Sequence, residues 1–253
     1  MIDIHSHIIP EIDDGSRSME MTIEMLRLAE RCGTKEIIAT PHYLMNYGEA
    51  TIDEVKKYVD EINKISQEEG INIKIYSGQE VFFTEKIIED YINGNIGTLN
   101  DSRYMLIEFD MKSFDKNIFE FIYELQIRNI VPIIAHPERY RYFIKEPEKI
   151  NKLINEGYLF QLNSGSIEGK FGSEVKKTAE LFLKNDIYNF IGSDAHNTSS
   201  NRNIDISSAL NIINKKNKEI FKESSLKLLN NETVEFQGSF IKKKKSIFSF
   251  FNK

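Results

Sequence analysis

Ile2-Asp3-Ile4-His5-Ser6-His7 opens the chain with a short apolar run that ends on two histidines. Six comparable runs follow, at residues 36–40, 73–78, 104–108, 131–136, 159–163 and 188–193. The stretches between them repeat at helical spacing. Ile52, Val55, Val59, Ile62 and Ile65 share one face, as do Phe114, Ile118, Phe121, Ile122 and Leu125, and then Val175, Ala179, Phe182 and Leu183. Gly33, Gly70 and Gly157 stand where such helices would end before the next run. A last helical pair is expected near residues 204–214 and 218–229. Short apolar runs alternating with amphipathic helices predict a parallel α/β architecture. A length of 253 residues suits a single barrel domain, and 40% apolar content is enough for a sizeable core.

Composition narrows the function classes. No run approaches the roughly 18 to 20 apolar residues of a membrane-spanning helix, and Met1 leads directly into the first run without a basic leader, which predicts a cytoplasmic protein. The lone Cys32 excludes an intrachain disulfide and suits a reducing compartment. The net charge is -6, which argues against general nucleic-acid binding. Residues 237–253 hold five lysines and no acid, so residues 1–236 carry 28 basic against 39 acidic side chains, or -11. The division predicts one catalytic domain over residues 1–236 and a basic, aromatic, flexible tail over 237–253.

All five histidines fall in short segments suited to metal binding: Asp3-Ile4-His5-Ser6-His7, Thr40-Pro41-His42-Tyr43, His136-Pro137-Glu138-Arg139 and Ser193-Asp194-Ala195-His196. Neutral imidazole is the commonest protein metal ligand. These segments sit at or just past the C-terminal ends of the runs, where barrel enzymes place their active sites. His5 and His7, two apart on an extended segment, project to the same side, and Asp194 and His196 repeat that spacing. Glu80 and Glu108 follow the third and fourth runs as carboxylates in apolar settings, which need a cation or partner to offset desolvation. Ile12-Asp13-Asp14-Gly15 offers one more oxygen ligand.

Taken in order, DIHSH, IDDG, TPHY, GQE, IEF, AHPER and SDAH resemble the polymerase-and-histidinol-phosphatase (PHP) superfamily, and within it the bacterial PHP-type protein-tyrosine phosphatases that act on capsular and exopolysaccharide-regulating tyrosine kinases. The resemblance extends to about residue 230. It implies a distorted TIM-like barrel of seven β/α units with a three-metal site. By that resemblance His5, His7, Glu80 and Asp194 hold one metal, Glu80, Glu108 and His136 a second, and Asp14, His42 and His196 a third, with Asp13 the alternative to Asp14. Arg202 becomes a phosphate clamp, and the substrate becomes the phosphotyrosine-rich tail of an autophosphorylating kinase.

The chemistry of the donors points the same way. Nitrogen and oxygen ligands without thiolate favour Mn²⁺, Fe, Mg²⁺ or Zn²⁺ over soft metals, and the three-metal site that the resemblance implies makes Mn²⁺ the expected ion. Close-set divalent ions lower the pKa of bound water and supply a bridging hydroxide for in-line displacement at phosphorus. Arg139, three residues after His136, is placed to bind phosphate oxygens in bidentate fashion, with Arg141 as the alternative. Tyr43, Tyr47 and Phe82 are candidates to line a pocket for an aromatic ring. A cysteine-dependent tyrosine phosphatase is excluded, since the position six residues after Cys32 is Ile38 rather than arginine. Three rivals share part of the pattern: a small-molecule PHP phosphoesterase such as a histidinol-phosphate phosphatase, an amidohydrolase with a carbamylated lysine in mid-barrel, and a metal-stabilised regulator without turnover. In the tail, Lys242 to Lys245 precede Ser246-Ile247-Phe248-Ser249-Phe250-Phe251, a composition suited to peripheral contact with an anionic membrane face.

Overall fold

The computed structural model describes residues 1–199 and 201–243. Its elements run β1 (Ile2–Ser6), α1 (Met19–Arg31), β2 (Glu36–Ala39), β3 (His42–Tyr43), α2 (Ile52–Glu68), β4 (Lys74–Ser77), β5 (Glu80–Phe82), α3 (Ile87–Ile92), β6 (Tyr104–Glu108), α4 (Ile118–Gln126), β7 (Val131–Ala135), α5 (Arg141–Lys145), α6 (Ile150–Asn155), β8 (Leu159–Asn163), α7 (Ser164–Glu168), α8 (Ser173–Lys184), β9 (Phe190–Gly192), α9 (Ser207–Ile212) and α10 (Lys215–Leu229). Every strand pairing is parallel.

The seven predicted runs correspond to β1, β2, β4, β6, β7, β8 and β9, and the second and third tracks each continue past a break in a further short strand, β3 and β5. β1, β2 and β4 form one sheet, and β3, β5, β6, β7, β8 and β9 the other. Pro41 has no N–H to continue the second track. In the third track Gly78 bends under Leu99, where an added Cβ would lie 2.6 Å from Leu99 Cδ2. The upper halves shift to pair with each other and with β6, in the register His42 to Glu80, Glu80 to Leu106 and Phe82 to Glu108. These breaks bring His42 and Glu80 to the rim. The ring closes beyond β9, where the Asp194 N–H donates to the His5 carbonyl at 2.8 Å and the His7 N–H donates to the Ala195 carbonyl at 2.9 Å.

Inside the ring, Ile4, Ile38, Leu106, Ile133, Leu159 and Phe190 form a buried floor, closed from below by Leu228 and Val234. On β6 the period of two places Tyr104, Leu106 and Glu108 on one face, so Glu108 is the top layer of the face whose lower layers are core. The amphipathic helices cover the outside. Thr51 and Glu54 cap α2 reciprocally, and of the face the periodicity selects Ile52, Val55, Val59 and Ile62 are buried, while Ile65 is half-buried beside buried Ser66. Phe114 precedes α4 rather than lying in it, yet packs against the same core. Phe190 is fully buried and meets Tyr104 edge-on at 6.4 Å. Phe190→Ala is expected to cost about 3 to 5 kcal/mol in chemical denaturation.

Packing continues past residue 236. Ile241 is buried, its N–H donates to Asn151 Oδ1 and its carbonyl accepts from Asn151 Nδ2, each at 2.9 Å. Ile241 thus packs beyond the boundary expected at residue 236, anchored by burial and a paired side-chain amide, neither of which charge reports. The lysine run beyond Lys243 and the aromatic stretch that follows it lie outside the described residues.

Candidate metal centre

The ligand-type side chains converge at the C-terminal rim around Glu80. Glu80 Oε2 lies 3.1 Å from His5 Nε2, 3.2 Å from His7 Nε2 and 3.1 Å from His42 Nδ1. Its other oxygen lies 3.0 Å from His136 Nε2, which in turn stands 3.6 Å from Glu108 Oε1. Asp194 Oδ1 completes the first group, 3.8 Å from His5 Nε2 and 3.5 Å from His7 Nε2. Asp14 Oδ1 is 3.0 Å from His196 Nε2 and 3.7 Å from His42 Nε2. His42 thus presents one ring nitrogen to Glu80 and the other to Asp14, standing between two groups rather than in one.

These donors fit cations. Glu80 Oε2 and His196 Nε2 are buried and have no hydrogen-bond partner, although nitrogen or oxygen atoms lie close on several sides. Burial pushes the Glu108 carboxyl well above its usual range, and Glu80 and Asp194 push it further. Burial also pulls His42 and His136 down to about 4, which keeps both imidazoles neutral with a lone pair to give. Crowded carboxylates beside neutral imidazoles are relieved by positive charge between them. Among the described residues, three groups of donors meet this geometry: His5, His7, Glu80 and Asp194; His7, Asp14, His42 and His196; and His42, Glu80 and Glu108.

The backbone pays attention to the same positions: His136 and Asp194 adopt left-handed φ values of 33° and 52°, unusual for residues other than glycine. Buried Glu138 steadies the turn after His136, accepting the Asn163 N–H at 3.0 Å and the Tyr188 hydroxyl at 2.9 Å.

Residues 1–234 match the family described as capsular polysaccharide synthesis, CpsB/CapC. The chain belongs to this family. It is 34% identical to the tyrosine-protein phosphatase YwqE of Bacillus subtilis over 255 residues, spanning 99% of this chain and all of that one. It is 32% identical to the tyrosine-protein phosphatase CpsB of Streptococcus pneumoniae over 244 residues, covering 92% of this chain and 100% of the relative. Among solved structures, one described as YwqE from Bacillus subtilis and CpsB from Streptococcus pneumoniae, unique metal-dependent tyrosine phosphatases, superposes with a TM-score of 0.89 at 33% identity over 96% of this chain and 100% of that chain. A lactonase from Listeria monocytogenes, 14% identical with a TM-score of 0.56 over 95% of each chain, shares the fold alone.

In this CpsB/CapC chain the two adjacent aspartates divide their work. Asp13 Oδ2 takes His7 Nδ1 at 2.7 Å and the His42 N–H at 2.9 Å, so it orients imidazoles from behind. Burial would raise the Asp13 carboxyl, but His7 and the backbone donors bring it down to about 2. Asp14 is left to face His42 and His196. Gly15 allows this fold-back: a Cβ there would stand 2.5 Å from His7 Cβ and 2.8 Å from Asp13 Oδ1.

Gln161 and Asn163 are functional residues that motif reading missed. Gln161 Oε1 lies 2.9 Å from His5 Nδ1, turning Nε2 toward Glu80, and Asn163 Nδ2 donates to Asp194 Oδ2 at 2.7 Å. The signal was the alternation Phe160-Gln161-Leu162-Asn163, which puts two polar side chains on the inner face of β8. Such partners fix ligand orientation. Asp13→Asn is expected to weaken metal binding about 10- to 100-fold with the fold intact, checked by metal titration alongside circular dichroism.

Both predicted arginines reach the rim. Arg139 Nη1 donates to Asp194 Oδ2 at 2.6 Å, and its guanidinium lies over the Phe171 ring at 4.7 Å. Arg202 Nη2 is 3.1 Å from Asp194 Oδ1, and its Nη1 is 3.7 Å from Asp14 Oδ2. Arg141 is exposed, with its N–H donating to the Met111 carbonyl, and does not line the cavity. That cavity, about 240 Å³, is lined by both arginines, by ligand-type residues, and by Leu44, Tyr47 and Phe82. Tyr43 points elsewhere, its hydroxyl 3.3 Å from Asp90 Oδ1, so the predicted aromatic lining reduces to Tyr47 and Phe82. Among the described residues no lysine lines the cavity, unlike the carbamylated-lysine pattern. A larger apolar cleft of about 530 Å³, between β1 and α10, has no cluster of ligand-type side chains among the described residues.

Proposed function

We propose that this chain is a metal-dependent protein-tyrosine phosphatase acting on the phosphotyrosine-rich tail of an autophosphorylating kinase that regulates capsule or exopolysaccharide synthesis. The observation that carries the reading is one cavity in which three donor groups around Glu80 lie beside two guanidiniums, under a mouth of Leu44, Tyr47 and Phe82. The family and the names of its relatives support the substrate class.

In this reading His5, His7, Glu80 and Asp194 hold one ion, Glu80, Glu108 and His136 a second, and Asp14, His42 and His196 a third, with Mn²⁺ favoured by hard nitrogen and oxygen donors. Bound divalent ions supply Lewis acidity and lower the pKa of coordinated water. The chain's own residues do the rest. Asp13 and Gln161 aim His7 and His5. Arg139 and Arg202, held in place by Asp194, bind phosphoryl oxygens and offset their charge. Tyr47 and Phe82 flank the aryl ring. The phenolate leaving group has a pKa of about 10, so it needs less protonation than an alkoxide.

The test compares kcat/KM on a phosphotyrosyl peptide with that on a phosphoseryl peptide and on sugar and amino-alcohol phosphates, histidinol phosphate included. Preference for the phosphotyrosyl peptide is expected. Preference for a small amino-alcohol phosphate would replace this reading with a small-molecule phosphoesterase, and bound metal without turnover would make the chain a regulator.

No helix among the described residues is long and apolar enough to cross a membrane. We place the enzyme in the cytoplasm, with the lysine and phenylalanine tail as a peripheral contact, each lysine contributing about 1 kcal/mol near an anionic surface. Because Ile241 is packed, the informative truncation ends at Lys243. It should lose binding to anionic vesicles at low salt while hydrolysing a soluble phosphotyrosyl peptide normally; equal vesicle binding by both chains rules the contact out.

A further inference from the structure

Outside the metal centre, one cleft combines features that the mechanism does not use. It has a volume of about 440 Å³ and is walled by Phe114, Phe119, Tyr142 and Phe143, with Lys116, Lys149 and Lys152 around it. The rings meet at angles that make a firm wall: Phe114 stands edge-on to Tyr142 at 5.2 Å, Tyr142 edge-on to Phe143 at 4.7 Å, and Phe119 lies 5.8 Å from Phe114. Tyr142 is 8% exposed, and its buried hydroxyl has no hydrogen-bond partner. Lys149 is paired with Glu146. Lys116 and Lys152 have no carboxylate partner among the described residues. On a body with a charge of -11 over residues 1–236, three lysines border this one aromatic cleft. Aromatic walls take a planar ring, and ammonium groups take a phosphate.

We propose that this cleft is a second, non-catalytic site for an aryl phosphate, occupied by another phosphotyrosine of the same substrate segment. The proposal rests on the tyrosine-phosphatase reading of the metal centre. Its position fits. From ligand His136 a ladder of rings leads to the cleft, His136 to Tyr140 at 5.8 Å, Tyr140 to Tyr142 at 5.4 Å and Tyr142 to Phe114 at 5.2 Å. The ladder bounds the separation of the two sites, although Tyr140 within it is fully buried, and an extended peptide advancing about 3.3 to 3.6 Å per residue covers a separation of that size in about four or five residues. A segment with several phosphotyrosines would be held by one while another is hydrolysed, which raises the effective concentration at the metals.

The test uses metal-loaded full-length protein and peptides carrying non-hydrolysable phosphonomethyl-phenylalanine at one position, or at two positions four residues apart. The two-site peptide is expected to bind on the order of tenfold more tightly than the one-site peptide. K116Q/K152Q, and separately Phe119→Ala, should remove that advantage while leaving kcat/KM for para-nitrophenyl phosphate unchanged. Neither lysine touches the metal centre, and both are exposed. Equal binding of the two peptides by the parent protein overturns the proposal, as does an advantage that survives K116Q/K152Q. So does equal binding of a peptide with glutamate at the second position, since the cleft would then read charge alone. Failure of the parent protein to hydrolyse a singly phosphorylated tyrosyl peptide is a separate result and counts against the catalytic reading, because the binding comparison involves no turnover.

Discussion

Glu80→Gln should bring phosphatase activity down on the order of 1000-fold or more, and chelation of the parent protein should do the same until Mn²⁺ is restored. Glu80 is fully buried, and its two oxygens face four imidazoles from three segments of the chain, His5 and His7, His42, and His136. The amide keeps the shape but loses the charge with which, in the proposed site, one side chain would serve adjacent ions. Lewis-acid stabilisation worth several kcal/mol per site, at about 1.4 kcal/mol per factor of ten, sets the scale of the loss. Elemental analysis should show fewer bound ions per chain. Cys32→Ser should have no effect, because Cys32 lies outside the cavity and its thiol is pushed up by burial and by the neighbouring Asp205, away from the thiolate. Full activity in chelated protein, or a folded but inactive Cys32→Ser, would overturn the metal mechanism.

Arg139→Ala should reduce kcat about 100- to 1000-fold while the metals stay bound near neutral pH, since loss of one charge-assisted contact to the developing phosphoryl charge has that magnitude. Arg139→Lys should recover only part of it, because a point charge does not reproduce the guanidinium fork. A second readout separates this role from a structural one. Burial alone would raise the Asp194 carboxyl, but Arg139 is the largest of the influences that instead hold it far below its usual range, ahead of His5 and Arg202. Without Arg139 the carboxyl protonates at higher pH, so on acidification metal loss should begin at a higher pH in Arg139→Ala than in the parent. Metal content measured against pH checks the direction of that shift. Normal turnover by Arg139→Ala would move the phosphate clamp to Arg202, whose guanidinium also reaches Asp194.

How much of this was legible beforehand depends on how local each feature is. Apolar runs, helix faces and histidines at strand ends are local properties of the sequence, so the seven tracks, their direction and the convergence of His5, His7, Glu80, Glu108, His136, Asp194 and His196 on one rim followed from periodicity and position. Tertiary structure decided the rest. The break at Gly78-Gln79 depends on packing against Leu99, and together with the one at Pro41 it sets the register that pairs His42 with Glu80. The division between Asp13 and Asp14 depends on which carboxylate folds back on His7, a matter of a tight turn at Gly15 rather than of residue type. His42 between two donor groups, Gln161 behind His5, and Phe171 beneath Arg139 are contacts between segments distant in the chain. A sequence states which side chains have the lone pairs and charges for a site; which atom faces which is settled only when rotamers and backbone are fixed by packing across the barrel.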